Sequence, residues 1–252
     1  MDLAVNYSPY LVDLIRAGQA PIDRVEVGPW VSPAVIQGYR REVPGCSFLF
    51  HASEQVRAYA FTAPDCQRLK RYLDCTETPW LSVHLTFHPL WHAVLAHRGL
   101  RLPTLPAAFY AGRFVRRARR LSAQLGLPLI VENMTLPPQS HPQWIRRVVE
   151  ACDCQMLLDL SHARVAAPLL GLEVHEYLAQ LPLERVVALH VSGSRLHNGR
   201  RVDAHESLQA EDYALLDWTL PRIHPQVLTL EYYRRPDDLA EQIHRLSRIA
   251  HP

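Results

Sequence analysis

The feature that most constrains the fold is a regular alternation between short apolar segments and longer amphipathic ones. Eight of the short segments are apolar and largely β-branched, which is typical of strands buried on both faces. They span residues 3–8, 24–28, 47–52, 80–85, 128–134, 155–161, 185–193 and 227–233. Helical patterns lie between them, such as residues 114–126, 141–152 and 236–250.

Eight strand–helix units in 252 residues predict an α/β protein, a (β/α)8 or TIM barrel, that forms one domain over residues 1–252. A doubly wound open sheet is the alternative. That fold usually has a glycine-rich phosphate turn after its first strand, and the segment "NYSPYL" is not such a turn.

Composition excludes several classes of protein. The net charge of +2, from 27 basic and 25 acidic residues, does not call for nucleic acid or a membrane surface as a partner. We expect no signal peptide, because no basic segment followed by an apolar one opens the chain, and no apolar run reaches membrane-spanning length. Five scattered cysteines, including Cys152 and Cys154, are typical of reduced structural thiols in a cytoplasmic protein.

Polar residues interrupt the apolar strands mainly at their carboxyl ends, where a barrel places its active site. Glu26 lies in the second strand, and nine further side chains follow the third to eighth strands: His51, His84, Glu132, Asp159, His162, His190, Asp203, His205 and Glu231. A single histidine at a strand end is more often a hydrogen-bonded core residue. Nine such groups around one cavity would be costly to bury without cations, so we predict a metal centre.

The local spacings support this prediction. Asp159 and His162 form D-x-x-H where a strand turns into a loop, and Asp203 and His205 form D-x-H in an extended stretch, where alternate residues point the same way. All nine donors are nitrogen or oxygen, which favours Fe, Mn or catalytic Zn over a structural zinc site.

Other polar features give weaker signals. Asn133, Ser192 and Arg195 follow strands five and seven and are candidate groups for orienting ligands or contacting a substrate, although loop hydrogen bonding explains each equally well. Residues 88, 92 and 97 are histidines that we interpret as loop or surface residues. The basic segment 113–120 is interpreted as a solvated helix face.

Several segments resemble one known family. "VENM", "LLDLSHARVAA", "VVALHVSGS", "DAHE" and "LTLEYYRRPDDLAEQI" are similar to the multinuclear non-haem iron-dependent oxidases, which include the methanobactin maturation oxidase. The similarity covers most of the chain from about residue 80 onward. More distantly, the order of the nine residues resembles the xylose isomerase-like and endonuclease IV-like barrels.

The resemblance implies a cytoplasmic oxidoreductase with two or three iron ions and dioxygen as co-substrate. His51 and His84 would hold one ion, with Glu132 bridging to a second that Asp159, His190 and Glu231 complete. His162, Asp203 and His205 would hold the third. Members modify residues, often cysteines, in ribosomally made precursor peptides, and a separate partner protein commonly presents the peptide leader.

Three rival functions remain open on the sequence. A zinc-dependent phosphodiesterase of the endonuclease IV type would use the same nine ligands to activate water. A sugar isomerase or epimerase would use one or two Mn ions and a lysine in the barrel mouth, but Lys70, the only lysine, lies in a helix-like stretch. A barrel that binds metal without catalysis would need a coordinatively closed site.

Overall fold

The computed structural model describes residues 1–52, 63–76, 78–87 and 106–252. Eight parallel strands form one sheet in the order β3-β2-β1-β10-β7-β6-β5-β4, and β8 and β9 form a separate antiparallel hairpin. The strands are β1 Asp2–Asn6, β2 Arg24–Val27, β3 Ser47–Phe50, β4 Leu81–His84, β5 Leu129–Glu132, β6 Gln155–Asp159, β7 Val186–Val191, β8 Gly193–His197, β9 Arg200–Glu206 and β10 Val227–Leu230.

Helices follow the strands around the sheet. Those that the structure describes are α1 Pro9–Arg16, α2 Pro33–Glu42, α3 Ala63–Thr76, α4 Ala107–Leu125, α5 Pro142–Cys152, α6 Leu160–Leu169, α7 Val174–Ala179, α8 Ala210–Thr219 and α9 Pro236–Ala250. The predicted (β/α)8 barrel is therefore confirmed. None of the helices within the described ranges has both the length and the apolarity needed to cross a bilayer.

Local sequence explains where several helices begin and end. Ser8 caps α1 by accepting a hydrogen bond from the Leu11 N–H at 3.1 Å, and Pro9 occupies the first helical position. Ser32 and Pro33 repeat this arrangement at α2. Gly126 ends α4 in the left-handed conformation, with φ of 68°, which glycine adopts without steric cost.

The strands of the barrel separate two apolar clusters, one beneath the helices and one inside the barrel. Alternate strand residues such as Leu3 and Val5 point outward and join the large core beneath the helices. The residues between them point inward and form a second cluster: Ala4, Leu49, Ile130, Leu157, Ala188 and Val227. This inner cluster fills the amino-terminal half of the barrel, as the two-residue period of a strand requires.

The strands β3 and β4 lie at the two ends of the sheet order and are joined by side chains. The Phe50 N–H donates to Thr78 Oγ1 at 2.8 Å, and Ser82 Oγ lies 2.9 Å from His51 Nδ1. These hydrogen bonds draw the two ends of the sheet together at the cavity, so His51 and His84 reach the same site.

One local prediction needs correction, and one element was not predicted. Asp159 is followed directly by α6 rather than by a loop, and its side chain caps this helix. The segment after β7 forms a hairpin that was not predicted, with Asn198 and Gly199 at its turn at φ of 50° and 74°. Positive φ at both turn residues is the signature of the type I′ turn that an Asn-Gly pair favours.

Candidate metal centre

The carboxyl ends of the strands form the floor of a cavity of about 610 Å³. Seven of the nine candidate ligands line it, together with residues at the ends of the first, second and last strands of the barrel. The lining residues are Asn6, Tyr7, Ser8, Pro9, Trp30, His51, His84, Glu132, His162, Asp203, His205, Glu231 and Tyr233. The candidate ligands therefore lie where a barrel exposes its reactive face.

All nine predicted ligands come together in one continuous set of contacts. Four groups of three donors have ligand atoms within 4.8 Å of one another: Glu26, His51 and His190; His51, His84 and Glu132; Glu132, Asp159 and His162; and Asp159, His190 and Glu231. Asp203 joins the set through His162 and His205. Strand register helps to bring the donors together, because His84 pairs with Glu132 and Asp159 pairs with His190 across neighbouring strands.

Glu132 is the hub of the cluster. Its Oε2 lies 3.1 Å from His84 Nε2 and 3.4 Å from His51 Nε2, and its Oε1 lies 3.2 Å from His162 Nδ1. Burial alone would raise the pKa of this carboxyl, but His84 and His162 outweigh burial and hold the pKa well below its usual range. Glu132 is thus a carboxylate in the metal-free protein, with one oxygen facing His51 and His84 and the other facing His162.

Asp159 divides its two oxygens between structure and site. Its Oδ1 accepts the His162 N–H at 2.7 Å and so caps α6, whereas Oδ2 is buried without a hydrogen-bond partner. Burial raises the pKa of this carboxyl to about 7, with neighbouring carboxylates adding to the effect of burial. A cation beside Oδ2 would reverse this penalty.

Asp203 and His205 are carried to the cavity by the hairpin. Asp203 Oδ2 lies 3.0 Å from His205 Nε2 and 3.3 Å from His162 Nε2. The other oxygen accepts hydrogen bonds from Ser161 at 2.8 Å and Ser192 at 3.4 Å. His205 has φ of 46°, so the two side chains meet through a left-handed residue and not through the regular alternation of an extended strand.

Asp203 and His205 stabilise each other's charged forms in the metal-free protein. Burial opposes both charges, but the hydrogen bond that His205 Nε2 donates to the Asp203 carboxylate raises the pKa of His205 to about 9. His162 and His205 in turn lower the pKa of Asp203 far below its usual range despite burial. Each imidazole must lose a proton before it can offer that nitrogen to a cation.

His190 lies between two carboxylates. Its Nδ1 is 3.3 Å from Glu231 Oε1, and its Nε2 is 3.2 Å from Glu26 Oε2. Burial would lower the pKa of His190, but Glu26 and Glu231 raise it well above its usual value. Glu231 has a pKa lowered to about 2, because His190 and His205 overcome the effect of burial.

The donor set fits divalent cations. Five buried ligand atoms in the cluster have no hydrogen-bond partner among the described residues: Glu26 Oε1, Glu132 Oε2, Asp159 Oδ2, His190 Nδ1 and His205 Nδ1. An unpaired buried polar atom costs about 1–3 kcal/mol, so such atoms rarely accumulate without a ligand. Imidazole and carboxylate donors suit Fe, Mn and Zn.

The three predicted orienting or substrate-contacting residues have different surroundings. Asn133 is fully buried and braces the end of β6, because its amide donates to Asp159 O at 2.9 Å and accepts the Asp159 N–H at 2.8 Å. Ser192 contacts Asp203. Arg195 contacts the carbonyl oxygens of Ser194 and Ser207 rather than a residue of the cluster. The histidines at positions 88, 92 and 97 lie outside the described residues.

Sequence reasoning missed four groups that support the cluster. Glu26 lies in the second predicted strand but is not among the nine predicted ligands. Ser82 holds His51, Ser161 holds Asp203, and Asn6 Nδ2 donates to Glu231 Oε1 at 3.4 Å. Only Glu26 carried a sequence signal, because a carboxylate in an apolar strand needs a partner.

The comparisons place this geometry in a family. Residues 58–251 match the model of the RiPP precursor modification enzymes MbnB/TglH/ChrH, where RiPP denotes a ribosomally made and modified peptide. The chain belongs to this family. The predicted resemblance is confirmed at this level, and so is the expectation of a peptide-modifying enzyme family.

Relatives and solved structures agree with this membership. A UPF0276 protein of Anaeromyxobacter sp. (strain Fw109-5) is 28% identical over 232 residues, which cover 82% of this chain and 76% of the relative. A D-tagatose 3-epimerase-like protein has a TM-score of 0.65 at 14% identity, covering 99% of this chain and 97% of that chain.

Two further barrels have a similar fold. Endonuclease IV from Thermus thermophilus has a TM-score of 0.62 at 19% identity, covering 99% of this chain and 98% of its own. A xylose isomerase-like TIM barrel protein from Mycobacterium smegmatis, solved with magnesium, has a TM-score of 0.61 at 13% identity, covering 98% of this chain and 96% of its own. At these identities the likeness shows the fold alone.

Proposed function

We propose that this family member is a multinuclear iron-dependent oxidase that uses dioxygen to modify a residue, most simply a cysteine, of a precursor peptide. The observation that carries the proposal is the set of five buried donor atoms without hydrogen-bond partners, in a cluster whose other members line an open cavity. The family match supplies the peptide as the class of substrate.

The chain's own residues would hold the cations in three groups. His51, His84 and Glu132 face one position, and Asp159, His190 and Glu231 face a second, in agreement with the close approach of their donor atoms. His162, Asp203 and His205 would hold a third. Bound iron would supply the activation of dioxygen, which side chains alone do not perform.

The polar neighbours would keep these donors in place. Asn133 fixes the backbone at Asp159, and Ser192 together with Ser161 holds one oxygen of Asp203 so that the other faces the cavity. Such partners commonly set ligand orientation and cation affinity. Arg195 would act further out, by tying the start of the hairpin to Ser207.

The cavity has room for a peptide side chain beside the cations. Its volume of about 610 Å³ lies within the range of small-molecule sites. Trp30 and Tyr233 line it and are 66% and 47% exposed, so aromatic surface faces an incoming substrate. A separate protein that presents the peptide leader would complete the proposed assembly.

Co-expression with short open reading frames next to the gene would first identify a modified peptide. The purified chain, loaded with Fe(II), is then incubated with that unmodified peptide in air and under nitrogen, and peptide masses are recorded. We expect a mass change that requires both iron and dioxygen. The matched control is His84→Ala, which removes one proposed ligand.

Two results would contradict the oxidase. The first is stoichiometric zinc with no bound iron after iron-replete expression. The second is oxygen-independent cleavage of a duplex that contains an abasic site, which would indicate a phosphodiesterase. A sugar isomerase lacks support, because Lys70 is exposed on α3 and is not among the cavity-lining residues within the described ranges.

A further inference from the structure

Two histidines of the cluster show a common arrangement, in which one ring nitrogen faces a carboxylate and the other is held from behind. His51 Nε2 faces Glu132 at 3.4 Å, and its Nδ1 is 2.9 Å from Ser82 Oγ. His162 Nε2 faces Asp203 at 3.3 Å, and its Nδ1, which also lies 3.2 Å from Glu132 Oε1, is 2.8 Å from Asn133 O. An imidazole that binds a cation needs such a partner, because the partner fixes the tautomer and the ring plane.

His190 follows the same arrangement with a stronger partner. Its Nδ1 is buried, has no hydrogen-bond partner and lies 3.3 Å from Glu231 Oε1, within the donor group that also contains Asp159. Its Nε2 lies 3.2 Å from Glu26 Oε2. A carboxylate can only accept this hydrogen bond, so the Nε2 proton stays on the ring, and Nδ1 is the nitrogen that can offer a lone pair to a cation once it has lost its proton.

Glu26 is itself fixed in place. It comes from β2, on the opposite side of β1 and β10 from β7, and is 6% exposed. Thr229 Oγ1 donates to the same oxygen, Oε2, at 3.2 Å. Thr229 lies in β10 beside His190 of β7, so its hydrogen bond holds the Glu26 carboxylate in the barrel interior next to His190.

We propose that Glu26 is a positioning residue that holds His190 in the tautomer and orientation required for the second cation. This inference rests on the proposed metal centre and adds to it a tenth side chain, with a role distinct from the nine ligands. Carboxylate partners of this kind raise the basicity of the ligating imidazole as well as orienting it.

A direct ligand role for Glu26 is the competing explanation. Its other oxygen, Oε1, is buried without a partner, and Glu26, His51 and His190 offer donor atoms within 4.8 Å of one another. The two roles differ in what they change. A lost ligand removes a cation at saturation, whereas a lost positioning residue weakens binding but leaves the number of bound cations intact.

The experiment is a titration of the metal-free full chain with Co(II) alone, followed by visible absorption and by competition with a chelator. The variants are Glu26→Gln, Glu26→Ala, Thr229→Val and, as the reference for a lost ligand, His190→Ala. Glu184→Gln makes the same charge change on the surface, where the Glu184 side chain is 64% exposed, and serves as the control.

We expect Glu26→Ala to lower the affinity of one cation by about 10–100-fold, which is the usual effect of losing an outer partner, with the saturating number unchanged. Glu26→Gln should lose less, because its amide oxygen can still accept the Nε2 proton. Thr229→Val should show the same spectral change in a smaller degree, and it keeps the test valid if Glu26→Ala does not fold.

Three outcomes would overturn the inference. A saturating number reduced as in His190→Ala would make Glu26 a ligand. Affinity within twofold of the starting protein in Glu26→Ala and Thr229→Val would leave Glu26 no role at the centre. A starting protein that binds no Co(II) would remove the metal centre itself. Because neither peptide nor dioxygen is used, failure of the oxidase proposal remains distinguishable.

Discussion

The two halves of the barrel interior differ sharply in chemistry although the same strands build both. The amino-terminal half, here called the lower layer, holds the apolar cluster that includes Leu157 and Ala188. The carboxyl-terminal half, here called the upper layer, holds the donor cluster. On four strands or their ends the change takes two residues, the distance between neighbouring inward positions: Leu49 to His51, Ile130 to Glu132, Leu157 to Asp159, and Ala188 to His190.

This difference shows how one scaffold supports a polar site. The apolar layer is close-packed and holds the strands at fixed separation and register. The donors of the upper layer lie on the same strands, so the fixed strand positions bring side chains from distant parts of the chain within a few ångströms of one another. The lower layer therefore contributes to folding stability, whereas cation binding depends on the upper layer.

The largest expected effect comes from placing a charge in the lower layer. Leu157→Asp puts a carboxylate where the native side chain is 2% exposed and has apolar neighbours, so the free energy of unfolding should fall by about 3–5 kcal/mol. Urea unfolding of the metal-free protein measures this. Leu136→Asp, at a position 57% exposed, should change it by less than about 0.5 kcal/mol.

A loss below about 1 kcal/mol for Leu157→Asp would contradict the comparison, since it would mean that the lower layer tolerates a charge as the upper one does.

The next effect concerns the upper layer alone. Glu132→Ala removes the carboxylate that faces His51, His84 and His162. Cation affinity should fall by more than about 100-fold, beyond the range of an outer partner, and at least one cation per chain should be lost on purification. Elemental analysis of the purified protein measures the number of bound ions.

Glu150→Ala is the matched control for this loss, because the Glu150 side chain is 59% exposed on α5. If Glu132→Ala retained the full complement of ions, Glu132 would not be a ligand, and the hub of the proposed centre would be lost.

The elements of the fold were not equally predictable from sequence. The eight strands were predictable, because β-branched apolar segments of this length are typical of buried parallel strands. The hairpin was missed, although Asn198 and Gly199 between β8 and β9 carry the strongest short-range hairpin signal. The cap by Asp159 was missed because the same side chain had been interpreted only as a ligand.

The residues that orient the donor side chains were harder to predict for a physical reason. Ser82, Ser161 and Glu26 act through partners 31, 42 and 164 residues away in the chain. A serine is common at the surface and in loops, so its type carries no signal without the partner. Strand ends predicted the donor set, whereas the groups that orient it required coordinates.

The pH dependence of cation binding gives a third way to sharpen the comparison. In the metal-free protein the pKa of His205 is about 9, because Asp203 stabilises the imidazolium despite burial, and burial raises the pKa of Asp159 to about 7. Below these values both groups carry protons that a cation must displace. Affinity should therefore rise with pH, by about tenfold per pH unit for each proton released.

Titrations with Mn(II) from pH 6 to 9 in buffers of different ionisation enthalpy would measure both affinity and proton release. The rise should lessen above about pH 7 as Asp159 ionises, and again near pH 9 as His205 does. Affinity that stays constant between pH 6 and 8, with no protons released, would mean that these groups do not meet the cation.

The smallest expected effect lies one step further out, at the cavity mouth. The Trp30 ring packs over Gly28, where an added Cβ would lie 2.1 Å from the ring, so the glycine lets the indole lie flat at the cavity. With the peptide identified by co-expression, Trp30→Ala should raise KM by about tenfold, or 1.4 kcal/mol, and leave kcat within twofold. The reason is that an exposed ring binds ground state and transition state alike. Gly28→Ala, which displaces the ring without deleting it, should change KM in the same direction, whereas Leu169→Ala, on an exposed part of α6, should not. A fall in kcat for Trp30→Ala with unchanged KM would place the ring in the chemistry of the upper layer and not in substrate capture.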